Sequence, residues 1–376
     1  MRIEDADSRW MRRALRLAER GFTPPNPMVG CVIVLDGAMV GEGYHLAAGM
    51  PHAEVMALNA AGEGARGADV YVTLEPCSHF GRTPPCTDAL IRAGVKRVVA
   101  ATLDSDPRVR GSGIARLKEA GIEARAGLME EQARSVNRAF FHFHECGTPY
   151  VTMKAAMTLD GKTATRSGDT KWITGKKARR EVHRLRARSG AVLAGVGSVL
   201  ADNPRLDARL PGIHLPRQPL RIIADSQLRT PPESEAVILA RTRPDKYPLL
   251  IAASLTADKD AEDALTLPGV EIVRLPQDTF GRVNLRSLME LLTERQIISV
   301  LVEGGPTLNE ALMRSCAVHQ VMFFIAPVLV GGRDALTALE GEGISRLGEA
   351  WRLGRMKTYR FGSDIAIMAD VLNSDK

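Results

Sequence analysis

The residues of this chain best suited to chemistry are one histidine, one glutamate and two cysteines. His52 and Glu54 stand two residues apart at the start of a predicted helix, in the run PHAEVMALNA. Cys77 follows a predicted strand and a Glu-Pro pair, and Cys86 opens the next predicted helix. A helix start directs unpaired N–H groups outward. All four side chains are therefore expected where strands pass into helices.

These residue types predict a zinc site. One imidazole and two thiolates supply three ligands and leave the fourth tetrahedral position for water, which is the catalytic rather than the structural arrangement. Zinc lowers the pKa of such a water towards about 7, and a nearby carboxylate can then move protons. We predict His52, Cys77 and Cys86 as metal ligands and Glu54 as the catalytic proton shuttle. The alternative is a closed structural site with His79 as the fourth ligand.

The spacing of the cysteines narrows the chemistry. Zinc-dependent nucleobase deaminases carry H-x-E…P-C-x-x-C, in which the glutamate is general acid/base and not a ligand. Here eight residues, SHFGRTPP, separate the cysteines instead of two, so a generic cytidine deaminase is not a clean match. Each residue alone could be an ordinary packed or surface side chain. The ordered combination of HAE, Glu-Pro-Cys and a second helix-opening cysteine favours the zinc site.

A second candidate site follows a buried strand near the middle of the second half. In ISVLVEGGPTLNEAL the strand ends in an acid and two glycines, and a Pro-Thr pair then starts a helix. Glycines allow a ligand close to the backbone, and the helix N-terminus favours a phosphate. The same pattern is also an ordinary strand-to-helix turn. A full Rossmann fingerprint is absent, because GVGSVL has Leu200 where the third glycine would stand.

The elements around these sites form two alternating α/β patterns. The first runs from an amphipathic helix over 8–21 and an Asp-Gly hairpin to a helix from Met129 to about His144, and ends near Gly147. The second contains a basic helix, KKARREVHRLRARSG, and ends in a predicted hairpin, TYRFGSDIAIMADVL, so we expect a mixed sheet. Its β-rich runs are YVTMKAAM, AVLAGVG, RIIAD, AVILA, LLIAA, VEIVRL, ISVLVEGG and VMFFIAP.

Composition limits the class of protein. A chain of 376 residues favours two domains, and 45% hydrophobic with 25% charged residues is typical of a globular protein. The longest apolar stretch, 321–330, has ten residues, too few for a membrane span, and the charged N-terminus lacks a signal-peptide core, so we expect a cytoplasmic protein. The net charge of +6 suits anionic small molecules better than nucleic acid. Five scattered cysteines indicate reduced thiols or metal ligands.

Longer runs carry a resemblance to a known family. TLEPCSHFGRTPPCTDALI, preceded by PNPMVGCVIV and GEGYH, resembles the amino-terminal deaminase domain of the bifunctional riboflavin-biosynthesis deaminase/reductases. MKAAMTLDGK, TKWIT, RLRARSG, SVLADNPRLDAR, ADSQ and VEGGPTL resemble the reductase half of the same family. The resemblance covers essentially the whole chain. It implies a cytidine-deaminase-like three-layer α/β/α domain at 1–147 and a dihydrofolate-reductase-like α/β domain with a mixed sheet at 148–376.

The resemblance also implies two reactions on one phosphorylated pyrimidine. The deaminase domain, with one Zn²⁺, would act on the diaminopyrimidinone ribosylamino phosphate formed by opening the imidazole ring of GTP. The reductase domain would then use NADPH to open the attached ribose and reduce it to ribityl, by hydride transfer to its first carbon. We expect a homo-oligomer, a dimer or a tetramer, with neither nucleic acid nor a membrane as partner.

Matching positions to the family motifs gives the remaining candidate residues. The nicotinamide cofactor would contact Ala156, Trp172, Ser198, Asp202, Ser226, Gly305, Pro306, Thr307, Leu308, Asn309, Glu310 and Ala311. The substrate would contact Thr170, Arg186, Leu206, Arg209, Glu303 and Lys154 in the reductase domain, and Asn26 and His45 in the deaminase domain. Trp172 could instead be a core aromatic. Most cations of the basic helix are expected to be solvated, with only Arg186 directed inward.

Three other readings stay open at this point. A nucleic-acid deaminase would share the zinc ligands but should bind with a steep salt dependence. A cytidine or guanine deaminase with an unrelated second domain would oxidise no NADPH with the product of its first reaction. A zinc-stabilised binding module would keep every activity when Glu54 is replaced by Gln.

Overall fold

The chain folds into two compact units, Met1–Gly147 and Thr148–Lys376. The structure is a computed structural model that describes residues 3–80, 84–107, 109–213, 215 and 217–372, with the backbone alone described at 3–5. Each unit has its own sheet and its own hydrophobic core. Among the helices of the described residues, none is both long and apolar enough to cross a bilayer.

The first unit alternates helices and strands around a five-stranded sheet. Its elements are α1 (Ile3–Ala18), β1 (Gly30–Leu35), β2 (Ala38–Tyr44), α2 (Ala53–Ala61), β3 (Asp69–Val72), α3 (Cys86–Ala93), β4 (Arg97–Ala100), α4 (Ser112–Glu119), β5 (Glu123–Ala126), α5 (Glu130–Val136) and α6 (Arg138–Cys146), with a short 3-10 turn at Gly62–Ala65. The sheet order is β2-β1-β3-β4-β5. Strand β1 is antiparallel to β2 and β3, while β3, β4 and β5 run parallel.

Helices cover both faces of this sheet. On one face Met11 and Leu17 of α1 pack with Val32, Tyr71 and Val99 of the strands. On the other face α2, α3 and α4 pack over a second cluster, built from residues such as Ala53, Ala57, Leu90, Leu117, Ile33, Val70 and Val98. The predicted three-layer α/β/α arrangement is therefore confirmed.

Two local features place the start of α2 against the sheet. Asp36 and Gly37, with φ of 49° and 76°, turn β1 into β2 through the left-handed region that an Asp-Gly hairpin requires. Gly43 of β2 lies so close to α2 that an added Cβ would be 2.6 Å from the carbonyl oxygen of Ala53. Since only glycine permits this approach, Gly43 helps to place His52, the residue before α2.

The second unit is built on a nine-stranded mixed sheet. Its elements are β6 (Tyr150–Thr158), α7 (Lys176–Ala187), β7 (Ala191–Gly195), α8 (Val196–Asp202), β8 (Leu220–Ala224), α9 (Glu235–Thr242), β9 (Leu249–Ser254), α10 (Lys259–Leu265), β10 (Val270–Leu275), α11 (Leu285–Glu294), β11 (Ser299–Val302), α12 (Pro306–Arg314), β12 (Gln320–Ala326), β13 (Lys357–Phe361) and β14 (Asp364–Asp370), with a 3-10 turn at Leu347–Glu349. The order is β10-β9-β8-β7-β11-β6-β12-β14-β13.

Seven neighbouring strands of this sheet are parallel, and the last two are not. From β10 to β12 every pairing is parallel. Strand β14 then pairs antiparallel with β12 and with β13, which confirms the predicted terminal hairpin and the mixed sheet. Fully buried residues such as Met153, Leu193, Ile222 and Val302 form the core beneath the strands.

Two sequence-based element predictions are wrong. The run AVILA, predicted as a strand, lies in helix α9, where Ala236, Val237 and Ala240 are buried at helical spacing. A short apolar run fits a strand and a buried helix face equally well, so periodicity could not separate them. The helix predicted from Met129 to His144 is two helices, α5 and α6, divided at Asn137. At this break the side-chain amide of Asn137 accepts a hydrogen bond from the backbone N–H of Met28 at 2.7 Å and donates one to the carbonyl oxygen of Met28 at 2.8 Å.

Candidate active sites

Three predicted ligands meet at one end of the first unit. The Nδ1 atom of His52 lies 3.2 Å from Sγ of Cys86 and 3.6 Å from Sγ of Cys77. His52 directly precedes α2, Cys86 is the first residue of α3, and Cys77 lies on the loop after β3. Their ligand atoms lie within 4.8 Å of one another, and no fourth His, Cys, Asp or Glu of the described chain joins this group.

The donor set fits a zinc ion. Tetrahedral zinc with Zn–S near 2.3 Å and Zn–N near 2.0 Å puts sulfur and nitrogen ligands about 3.5 Å apart, close to the two separations found here. The backbone N–H of Cys86 donates to Sγ of Cys77 at 3.3 Å. The side-chain hydrogen bond with the Cys86 thiol is the main cause that lowers the pKa of the Cys77 thiol, and His52 and this backbone N–H act in the same direction, which favours the thiolate that a metal requires.

Glu54 lies beside these three ligands on the first turn of α2. Its side chain is buried, with 3% of the residue exposed. Burial is the main cause that raises the pKa of the Glu54 carboxyl to about 7; the neighbouring Cys77 acts in the same direction and His52 in the opposite one. The glutamate is outside the ligand group, so it sits next to the site without filling the fourth position. This arrangement matches a carboxyl that exchanges protons with whatever occupies that position.

Asn26 and His45 extend the site in a row that reaches His52. The ring of His45 packs edge-on against that of His52 at a centroid distance of 5.3 Å. Nδ1 of His45 lies 3.1 Å from the carbonyl oxygen of Pro51, which places its proton on Nδ1. Nε2 then accepts from the Asn26 amide at 3.2 Å. The two residues predicted to line the pocket are therefore linked to each other beside the predicted metal ligands.

His79, the alternative fourth ligand, lies elsewhere. The residue is exposed, and it is not within ligand distance of the group formed by His52, Cys77 and Cys86. The closed structural site is therefore not formed. The segment that continues from His79 towards Cys86 contains residues 81–83, which lie outside the described residues.

Glu75 helps to position the loop that carries Cys77, a role that the sequence did not reveal. Its buried carboxylate accepts four backbone N–H groups, from Asp104 at 3.1 Å, Gly111 at 2.9 Å, Gly113 at 2.9 Å and Ile114 at 3.1 Å. The contacts tie Asp104, Gly111 and the start of α4 to the residues immediately before Cys77. A glutamate in a Glu-Pro-Cys run was the available signal, but its partners lie 29 to 39 residues away and could not be predicted.

The second unit holds a cavity of about 1200 Å³ at the carboxyl ends of its parallel strands. The ends of β6, β7, β8 and β11 and the N-terminus of α12 line it, as is general for ligand sites in open α/β sheets. Predicted reductase residues that line the cavity are Lys154, Ala156, Thr170, Trp172, Arg186, Ser198, Asp202, Leu206, Arg209, Ser226, Glu303, Gly305, Pro306, Thr307, Leu308, Asn309 and Ala311.

The surroundings of Glu310 and Trp172 distinguish them from the other predicted positions. Glu310 is not among the described lining residues of this cavity; its carboxylate pairs with Arg314 one turn along α12. Trp172 is not a core aromatic, because 71% of it is exposed at the cavity wall, with the Arg179 guanidinium 4.4 Å above its ring. An exposed, cation-covered indole presents a flat surface to a planar ligand.

Charged side chains form a connected network on one side of the cavity. The Glu303 carboxylate accepts hydrogen bonds from Nε and Nη2 of Arg186, at 2.5 and 3.0 Å. Nζ of Lys154 lies 3.5 Å from Oε2 of Glu303. Burial alone would raise the pKa of Glu303, but the charges of Arg186 and Lys154 hold it at about 2. Arg186 also donates to the carbonyl of Asp207 at 3.0 Å, so much of its hydrogen-bonding capacity is used within the protein.

Arg209 is freer to meet a ligand. The fully buried Asp207 pairs with Nη1 of Arg209 and, at 3.2 Å, with Arg205. Half of the Arg209 side chain remains exposed at the cavity. Asp207 was missed by the sequence analysis, although it stands inside the SVLADNPRLDAR stretch. On another wall, Thr170 donates its hydroxyl to Asp202, which joins a predicted substrate residue to a predicted cofactor residue.

The fold and the two sites together define a zinc-binding deaminase unit joined to a reductase unit. Comparisons with known proteins agree. Residues 4–102 match the family model "Cytidine and deoxycytidylate deaminase zinc-binding region", and residues 149–367 match the "RibD C-terminal domain". A "Riboflavin biosynthesis protein RibD" from Actinobacillus pleuropneumoniae is 44% identical over 363 residues, covering 96% of this chain and 94% of that protein.

Solved structures show the same relationship over the whole chain. Acinetobacter baumannii RibD has a TM-score of 0.85 at 38% identity, covering 98% of this chain and 100% of that one. A diaminohydroxyphosphoribosylaminopyrimidine deaminase/5-amino-6-(5-phosphoribosylamino)uracil reductase from Thermotoga maritima has a TM-score of 0.82 at 33% identity, with coverage of 98% and 100%.

The chain belongs to the RibD family. It is a bifunctional enzyme of riboflavin biosynthesis that combines a deaminase with a reductase, and it acts on a small molecule. The predicted family and the predicted class of enzyme are therefore confirmed.

Proposed function

We propose that residues 1–147 carry the deaminase and residues 148–376 the reductase, acting in that order on one phosphorylated pyrimidine. The observation that carries the proposal is the separation of the two sites. His52, Cys77, Cys86 and Glu54 meet within the first unit, whereas the residues predicted for the reductase, Glu310 excepted, line one cavity of the second.

In the first unit, His52, Cys77 and Cys86 would hold one zinc ion. When bound, zinc would lower the pKa of a water ligand and so supply the nucleophile for hydrolytic removal of an amino group. Glu54 would take the proton from that nucleophile and return it to the departing nitrogen, which leaves as ammonia. Its burial next to the ligands excludes bulk water from the transfer.

Asn26 and His45 would orient the pyrimidine. Because His45 donates to Pro51 and accepts from Asn26, the Asn26 amide is turned so that its nitrogen faces the ring and its oxygen stays available. A carbonyl oxygen in that position can accept a hydrogen bond from an amino or ring N–H of the substrate. The substrate would be the diaminopyrimidinone ribosylamino phosphate named in the family's activity.

In the second unit, NADPH would lie along the turn between β11 and α12. Gly304 and Gly305 bring the backbone close to a ligand, and the N-terminus of α12 favours a phosphate. NADPH would supply the hydride, while the protein positions the reacting carbon of the sugar against it. Lys154 and the Thr170–Asp202 pair would hold the sugar hydroxyls, and Arg209 would bind the phosphate through its fork of donors.

A two-stage assay tests the division of labour. The purified chain with the ring-opened GTP metabolite and no NADPH should release ammonia, and NADPH added afterwards should be oxidised as the nicotinamide absorbance falls. Ammonia without any later oxidation would favour a deaminase with an unrelated second domain. Oxidation of NADPH without ammonia release would contradict the proposed order.

A further inference from the structure

His183 stands on helix α7 in a wall shared by two cavities. It lines the cavity of about 1200 Å³ that holds the proposed reductase site, and also a neighbouring cavity of about 660 Å³. Arg209 lines both cavities as well. The proposed function gives His183 no role, so the hydrogen bonds of its ring are the guide to what it could bind.

The hydrogen bonds of His183 fix where its proton lies. Its Nδ1 atom accepts the backbone N–H of Arg209 at 3.2 Å. Burial lowers the pKa of His183 to about 4, and the neighbouring charges of Arg186 and Arg209 act in the same direction. A neutral imidazole that accepts at Nδ1 carries its single proton on Nε2. His183 is thus a neutral donor through Nε2.

That donor faces another donor. Nε2 of His183 lies 3.5 Å from Nη2 of Arg209. Two N–H donors cannot satisfy each other, so both require an acceptor from elsewhere. The nearest carboxylates are engaged, since Asp207 pairs with Nη1 of Arg209 and Glu303 pairs with Arg186. Within the described residues, His183 Nε2 has no other hydrogen-bond contact.

The surroundings select an anion as the missing acceptor. The smaller cavity is lined by Lys176, Arg179, Arg180 and Lys246 in addition to Arg209, and its described lining contains no acidic side chain. An anionic oxygen between Nε2 and Nη2 would accept from both donors and would be attracted by Arg179 and Arg209, which line both cavities. A phosphate monoester presents several such oxygens at once.

We propose that His183 donates its Nε2–H to the phosphate of the reductase substrate, side by side with Arg209. The proposal rests on the proposed function, which gives Arg209 the same phosphate. A neutral donor of fixed direction complements the charged guanidinium of Arg209. Its hydrogen bond stabilises only a correctly oriented phosphate, and because the imidazole is uncharged it adds no repulsion to Arg186 and Arg209. His183 is therefore a specificity-determining residue for the phosphorylated form of the substrate.

Steady-state reduction of the deaminated intermediate and of its dephosphorylated form tests this. In His183→Ala the KM for the phosphorylated form should rise about tenfold, the scale of one lost hydrogen bond to a charged group. The KM for the dephosphorylated form, the kcat and the ammonia-releasing activity should stay within about twofold. His183→Gln, which keeps a donor and an acceptor, should recover part of the loss. An equal change for both forms, or none, would overturn the proposal.

The double variant separates direct contact from support of Arg209. If His183 contacts the phosphate, His183→Ala combined with Arg209→Ala should discriminate less between the two forms than Arg209→Ala alone. No further loss in the double variant would mean that His183 acts only through Arg209, which contradicts the proposal. If Arg209→Ala alone leaves the preference for phosphate unchanged, the proposed function of Arg209 itself fails, a result distinguishable from failure at His183.

A spectroscopic measurement covers the case in which the alanine variant does not fold. Imidazole ¹⁵N resonances of the full-length wild-type protein, assigned with His183→Gln, should show the Nε2–H tautomer for His183. Titration with ribose 5-phosphate should shift this resonance, whereas ribose should not. An Nδ1–H tautomer, or no shift when ribose 5-phosphate is saturating, would overturn the proposal.

Discussion

Glu54 is the residue on which the proposed deamination depends, because its buried carboxyl lies beside the three predicted ligands. Glu54→Gln keeps the size of the side chain and leaves His52, Cys77 and Cys86 in place. We expect roughly stoichiometric zinc with ammonia release reduced at least about a hundredfold, the usual effect of removing a positioned proton shuttle. Metal analysis and an ammonia assay measure the two outcomes.

The exposed Glu63→Gln in the same unit is the matched control and should behave like the wild type. Full turnover in Glu54→Gln would rule out the shuttle.

Arg209 gives the corresponding prediction for the second unit. Arg209→Ala should raise the KM for reduction by about tenfold or more, since it removes a charged donor from the proposed phosphate site. Deamination should be unaffected, because it takes place in the other unit. Parallel rate measurements of ammonia release and NADPH oxidation check this, with the exposed Arg241→Ala as control. Loss of both activities together would contradict the division between units.

Glu303 should make the stability of the second unit depend on pH. The pKa of Glu303 lies at about 2 in the folded protein, below its usual value of 4.5. The unfolded chain therefore binds more protons between these values, and the stabilisation that is present above pH 4.5 is lost as the pH falls towards 2. Urea unfolding of the second unit should show a smaller pH slope in this range for Glu303→Gln than for the wild type or for Glu290→Gln. An unchanged slope would contradict the ion-pair network with Arg186 and Lys154.

At the scale of elements, Glu75 joins two segments of the first unit. Its four backbone contacts hold Asp104, Gly111 and the first turn of α4 to the Glu-Pro-Cys run. Glu75→Gln removes the charge and one acceptor oxygen, so we expect the free energy of unfolding to fall by about 1–3 kcal/mol. Hydrogen exchange should speed up at the amides of Gly111, Gly113 and Ile114. The exposed Glu119→Gln is the control, and equal protection in both variants would show that these contacts are dispensable.

The comparison of sequence with structure shows why some elements and contacts were predictable. His52, Cys77 and Cys86 could be assigned because each residue type is rare and each stands at an element boundary. AVILA could not, since five apolar residues fit a strand or a helix face. Glu75 gains its importance from partners distant in the chain, Asp207 from its burial between Arg205 and Arg209, and His183 from the direction of one ring nitrogen. A single sequence records none of these.

At the scale of the whole molecule, two compact units each contain one proposed site. Each unit buries its own core, so a substitution in one site should leave the chemistry of the other intact. The expected dimer or tetramer remains a prediction, which light scattering of the purified chain would test.

The most direct test of the account gives Glu54→Gln two substrates in turn. With the ring-opened GTP metabolite and NADPH, the variant should release almost no ammonia and oxidise almost no NADPH, because reduction waits for deamination. With the deaminated intermediate supplied directly, NADPH oxidation should proceed at the wild-type rate. If NADPH were oxidised with the first substrate, or if the variant failed to reduce the second, two separate sites acting in this order could not be correct.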